Sequence, residues 1–352
     1  AVLYRFAGTG NGCREGQDDG EHSEVTLFHG QFLPRNQGPA TMGVPGVCVK
    51  RRVATMERDS EMEVPVQSTE LTGAELAALV QRVFQPRTED RALAVIVDLP
   101  DEHVPDNPDW NRRRKLAASW VRELRACSSA HGLDVQLFLY RNPRANNADL
   151  PAEAWPCMPE GLPAMAEDLE ETSSQPMRDI LGAYPLVLAP TEFSATAPLK
   201  VLSPELGCRA ATMPGFSPEM VPALRLDYTE VNRRVMIMKE LLDRSTGADL
   251  RFVVDGSTEH RLHLDLRHRT AHASGGLLPN PGTAGNLPSG ESYIVPYEGE
   301  IEGDATSSAG RLPIQLGEEV VLFEVEANRA IAVVSDGPAS REQAALLVAE
   351  PA

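Results

Sequence analysis

Five carboxylates fall within fourteen residues of this chain: Glu291, Glu298, Glu300, Glu302 and Asp304. The first closes the stretch Gly285-Asn286-Leu287-Pro288-Ser289-Gly290-Glu291. Proline fixes its backbone and glycine frees it, so the turn presents Glu291 from a set place, and a short strand is predicted to follow. Carboxylates on such a turn can ligate a divalent cation or receive an ammonium group. Acidic surface turns are common, so a solvated loop is the simpler reading of Glu298 and Glu300, and an acidic site is the alternative.

A second constellation is His263-Leu264-Asp265. Side chains alternate along a strand, so His263 and Asp265 share a face, with His268 and His272 close behind. Two His and one carboxylate can hold zinc or iron. Against this, Leu262, Leu264 and Leu266 supply the buried face, and Arg261 and Arg267 beside the His suit a solvated face and oppose a cation. Other chemistries find less support. Ser289 has no His–Asp pair placed to activate it, Cys157 has no identifiable base, and no HExxH occurs. The five cysteines form no CxxC pair, which excludes zinc ribbons and thioredoxin-type motifs and suits a reducing cytoplasm. The string Gly8-Thr9-Gly10-Asn11-Gly12 is followed by Asp18, Asp19 and Glu21, which would repel phosphate, so residues 7–22 read as a mobile surface loop.

Alternating strands and helices must position these groups. Leu93–Val97, Val135–Tyr140 and Leu186–Ala189 are short apolar runs of the kind buried strands show. Thr72 and Glu75 form a T-x-x-E capping box ahead of the stripe Leu76, Leu79, Val80, Val83. A second helix is expected from about Trp110 to Ala126. A third is expected from about Tyr228 to Asp243, capped by Asp227 and stopped at Gly247. Beyond residue 247 the period becomes two. Arg261–Arg267 alternates, and Val320–Glu326 with Arg329–Val334 reads as a hairpin. The expected class is α/β, with a region 1–85, an α/β domain over 86–245 and a smaller β-rich domain over 246–352.

The chain has 352 residues, with Lys+Arg 33 against Asp+Glu 51, a formal charge of −18. A hydrophobic share of 42% supports a buried core. The acidic balance argues against nucleic acid, which needs a basic face. No signal peptide or membrane-length apolar run is visible, and a cytoplasmic protein is expected.

The turn resembles the N-[LM]-P-x-G-E signature of metallo-aminopeptidases of the aminopeptidase T/S type, to which 2,5-dihydroxypyridine dioxygenases are related. Ala189–Thr196 and Ala211–Phe216 are similar to family segments upstream, so the resemblance spans roughly residues 90–350, and the first 85 match poorly. It implies an aminopeptidase T/S-like fold, a homodimer, and a metal-ligand ancestry for Glu291. In the family, a second Glu, a His in a G-x-x-H strand and a final H-x-D follow the signature Glu. Here no histidine follows His272. The resemblance thus implies a chain shortened relative to the family, with Glu291 a vestigial ligand and His263 with Asp265 a weak substitute.

Two functions of different class follow. The first is a catalytically deficient, cofactor-free protein that binds a peptide, with Glu291 receiving its amine, as an accessory factor in peptide modification or peptide natural-product biosynthesis. The second is an active metallo-aminopeptidase or related non-haem dioxygenase, with zinc or another divalent metal held partly by residues from outside this chain.

Overall fold

The capping box sets the first helix described. Thr72 N donates to Glu75 Oε2 at 2.9 Å, and Glu75 N to Thr72 Oγ1 at 3.3 Å. All four residues of the expected stripe are buried, and each such burial contributes about 1.5–3 kcal/mol. The computed structural model describes residues 2–8, 24–27, 68–170 and 173–349. The expected loop over 7–22 lies outside them, apart from its first two residues.

In chain order the elements are β1 (Val2–Gly8), β2 (Glu24–Leu27), α1 (Gly73–Phe84), β3 (Ala92–Leu99), α2 (Pro108–Ala126), α3 (Ser128–His131), β4 (Asp134–Arg141) and β5 (Glu153–Cys157). Then come β6 (Gln175–Pro176), α4 (Met177–Ala183), β7 (Leu186–Ala189), α5 (Thr196–Leu206), β8 (Arg209–Thr212), α6 (Val221–Leu224), α7 (Tyr228–Arg244) and β9 (Ser245–Val254). The last are β10 (Thr258–Asp265), β11 (His272–Ser274), β12 (Thr283–Asn286), β13 (Glu291–Tyr293), β14 (Ala309–Leu316), β15 (Glu319–Glu326), β16 (Arg329–Val333) and α8 (Pro338–Ala349). The class is α/β, and no helix among the described residues is long and apolar enough to cross a membrane.

The chain divides into two units. One holds residues 67–244 and 268–295. Its seven-stranded sheet has the order β12-β8-β7-β3-β4-β5-β6. The first five strands are parallel, and β5 and β6 are antiparallel. The central strands β3 and β7 are buried along nearly their whole length, which is why they read as unbroken apolar runs. One face packs Leu93, Val95, Leu137 and Leu188 against α1 and α2, with Trp120 and Phe216 edge to face at 5.6 Å. The other packs Ile96, Phe138 and Val187 with Ile180 of α4 and Leu199 of α5.

The second unit contains the described residues 2–8, 24–27, 245–267 and 296–349. Its antiparallel sheet runs β16-β15-β14-β10-β9-β1-β2. The expected hairpin is β15–β16, closed by Ala327 and Asn328 at φ 45 and 62, the double positive φ that tight hairpins use.

Two expectations are corrected. Gly247 does not stop the third helix. That helix ends at Arg244, and Gly247 lies inside β9, where a Cβ would come within 2.7 Å of the His263 ring. The β-rich segment is also not continuous from 246. Residues 268–295 return to the α/β unit, because β12 adds to β8 as a parallel strand and β11–β13 pack on α7.

Candidate functional site

The Pro/Gly turn builds part of a cavity of about 330 Å³. β12 pairs with β8 from Thr283↔Arg209 to Asn286↔Thr212 and ends the sheet. Its other edge has no strand partner among the described residues. The chain then passes through a cis Leu287–Pro288 bond. The Ser289 hydroxyl lies 2.6 Å from Ser274 Oγ and donates to Ser274 O at 2.7 Å. Glu291 opens β13, directly opposite Ser274 of β11, and Tyr293 stands opposite His272. The rings of His272 and Tyr293 stack at 5.1 Å and 23°. Behind them, Gly276 sits at φ +73, where a Cβ would meet the Tyr228 ring at 2.3 Å. Only glycine lets the chain pass this close to α7.

Helix α5 supplies the remaining wall. Thr196 and Lys200 lie one turn apart, on one side of the helix. The hydroxyls of Thr196 and Thr212 donate to Asn286 Oδ1 at 2.9 and 2.7 Å. This fixes the amide of Asn286 by its oxygen and leaves Nδ2 without a partner among the described residues. Lys200, His272, Asn286, Glu291 and Tyr293 all line the cavity. Among the described residues, neither the Lys200 ammonium nor the Glu291 carboxylate has an ion-pair partner, and the two do not pair with each other.

A second polar cluster sits at the C-terminal end of β3, where the strand order reverses between β4 on one side and β7 on the other. Open α/β sheets hold ligands at such a point. Here the chain fills it. Asp98 is fully buried and accepts Glu192 N at 2.8 Å, Phe193 N at 2.9 Å and Trp110 Nε1 at 3.2 Å. Burial pushes the Asp98 carboxyl up to about 6, against the pull of those two backbone donors. Arg113 pairs with Glu192 and donates from Nε to Phe216 O at 2.7 Å.

The structure separates the sequence-derived candidates. Glu291 belongs to the α/β unit, whereas exposed Glu298 and Glu300 belong to the antiparallel one. Asp304 is engaged by Arg267 at 2.9 Å. His263 and Asp265 do not act as a pair. His263 Nδ1 meets Asp249 Oδ1 at 2.8 Å, and buried Asp265 is gripped by Arg267 at 2.7 Å and by Ser307 N at 3.0 Å. Burial alone would raise the Asp265 carboxyl, but the Arg267 and Ser307 donors outweigh it and hold it well below the carboxylate range. The expected exposed polar face therefore fails at Asp265, which anchors the loop through Ser307. Cys157 donates to Met158 O and Gly161 O, and burial raises its thiol.

Sequence reasoning missed Lys200 and the role of Asn286. The Thr196/Lys200 spacing on a helix following a buried strand was the available signal, but no pattern linked it to a turn some ninety residues on. A hydrolytic zinc needs three or four protein ligands. Beside Glu291, the cavity lining offers one other side chain of ligating type, His272, together with the Lys200 cation. No group of three or more His, Cys, Asp or Glu placed to hold a metal occurs among the described residues.

No family model and no curated protein matches the chain. Among solved structures it is similar to 2,5-dihydroxypyridine dioxygenase from Pseudomonas putida KT2440, at 16% identity and a TM-score of 0.48, over 79% of this chain and 72% of that one. It is also similar to wild-type AmpT from Thermus thermophilus, at 15% identity and a TM-score of 0.41, over 79% and 75%. Neither likeness assigns a residue role or an activity to this chain.

Proposed function

We propose that this protein binds a peptide at the cavity beside β12 without cleaving it, as an accessory factor in peptide modification or peptide natural-product biosynthesis. The observation that carries the reading is Glu291, a carboxylate without an ion-pair partner among the described residues, lining a cavity next to an open strand edge. The carboxylate receives the peptide's ammonium, and the edge of β12 offers backbone donors and acceptors to an extended segment. The stacked His272 and Tyr293 give the first side chain an aromatic surface. The donor set around Glu291 supports binding rather than hydrolysis.

Titration calorimetry with unblocked and N-acetylated peptides, with and without added zinc, tests this. Free-amine peptides are expected to bind and remain intact by mass spectrometry, and Glu291→Gln is expected to remove the preference for the free amine. Zinc-dependent cleavage abolished by Glu291→Gln would refute the binding reading.

A further inference from the structure

Lys200 and Glu291 carry opposite charges, line one cavity of about 330 Å³, and do not neutralise each other. Both side chains are solvent-exposed, where closing into a surface ion pair gains little. Lining one ligand-sized space, they can be met together by a molecule that supplies both counter-charges. The cavity lies at the small end of ligand pockets, so the ligand's two charges must be close together. Asn286 adds direction. Its oxygen is taken by Thr196 and Thr212, so its amide nitrogen is left to donate to a carbonyl or carboxylate of the ligand.

We infer that the site takes a zwitterionic ligand end, with the ammonium on Glu291 and a carboxylate on Lys200 and Asn286. This inference rests on the peptide-binding reading and narrows it. Two sources supply the same chemistry: the α-carboxylate of a very short peptide, or an acidic side chain next to the amino terminus of a longer one. A ligand with the amine alone would leave Lys200 and the Asn286 amide without a counterpart on the ligand.

The test uses four probe sets with the full chain: unblocked dipeptides, the same dipeptides as C-terminal amides, and pentapeptide amides carrying Glu or Gln at the second position. A charge-assisted contact of this kind corresponds to at least about 10-fold in affinity. Calorimetry is expected to show that gap either between acids and amides or between the Glu and Gln pentapeptides, and the responding pair identifies the source. Lys200→Met is expected to erase the gap with an unchanged thermal midpoint, and Lys200→Arg to keep most of it. Equal binding across both pairs, or a gap that survives in Lys200→Met, overturns the assignment of Lys200 while leaving peptide binding in place. Failure of every set to bind overturns this inference together with the reading beneath it.

Discussion

Two polar clusters stand at the C-terminal ends of parallel strands in the same sheet, and they differ in one respect. At the end of β3, Asp98, Glu192 and Arg113 take up one another's hydrogen-bonding capacity, with Asp98 and Arg113 buried and Glu192 partly so. At the end of β12, Asn286, Lys200 and Glu291 leave a donor, a cation and an anion facing a cavity. A satisfied cluster holds the protein together, whereas an unsatisfied one beside a void is available to something else. At the switch point of the sheet the Glu192 and Phe193 backbone donates to Asp98, whereas Lys200 and Glu291, without ion-pair partners among the described residues, line a cavity beside the edge strand.

Substitutions can break this contrast. The largest effect is expected at the closed cluster. Arg113→Ala leaves Glu192 without its buried partner, and urea denaturation should show a loss of about 3–5 kcal/mol. A loss below about 1 kcal/mol would mean the cluster is not the structural one. The next effect concerns pH. Asp98 titrates near 6 in the folded chain and near 3.9 unfolded. Between these values the folded state holds the extra proton, so this group's contribution to stability falls as pH rises from about 4 to about 6 and is level above that. The difference is on the order of 2–3 kcal/mol. Asp98→Asn should remove that component of the slope, measured as the difference between the two stability–pH curves.

At the open cluster the order of effects reverses. Glu291→Gln should leave stability within about 0.5 kcal/mol while lowering affinity for a free-amine peptide about 10-fold. If it unfolds the chain instead, Glu291 belongs with the closed type. The smallest effect serves as a scale. Thr72→Ala removes the cap of α1 and should cost about 1 kcal/mol, read from the same denaturation curves without any change in peptide affinity.

Legibility followed the range of the interactions. The capping box at Thr72 and the buried strand β3 were readable because their causes lie within a few neighbours. Glu291 was readable as a residue on a rigid turn, for the same reason. The partner of Asp265 was two residues away, yet its burial was not foreseen, because the Ser307 donors that make burial tolerable come from another strand connection. Gly247 misled because a glycine after a helix usually marks its end, while here it makes room for a histidine sixteen residues later.

The sequence by itself determined the α/β class, the main helices and strands, and a turn that holds one carboxylate in place, since these depend on local backbone preference and hydrophobic period. Only the tertiary structure decided which charges meet. It paired Asp265 with Arg267 rather than His263, divided the five carboxylates between two units, and brought Lys200 of one helix to the same cavity as Glu291. Electrostatic partners are chosen by distance in space, and that distance is set by how the sheet is ordered and not by spacing along the chain.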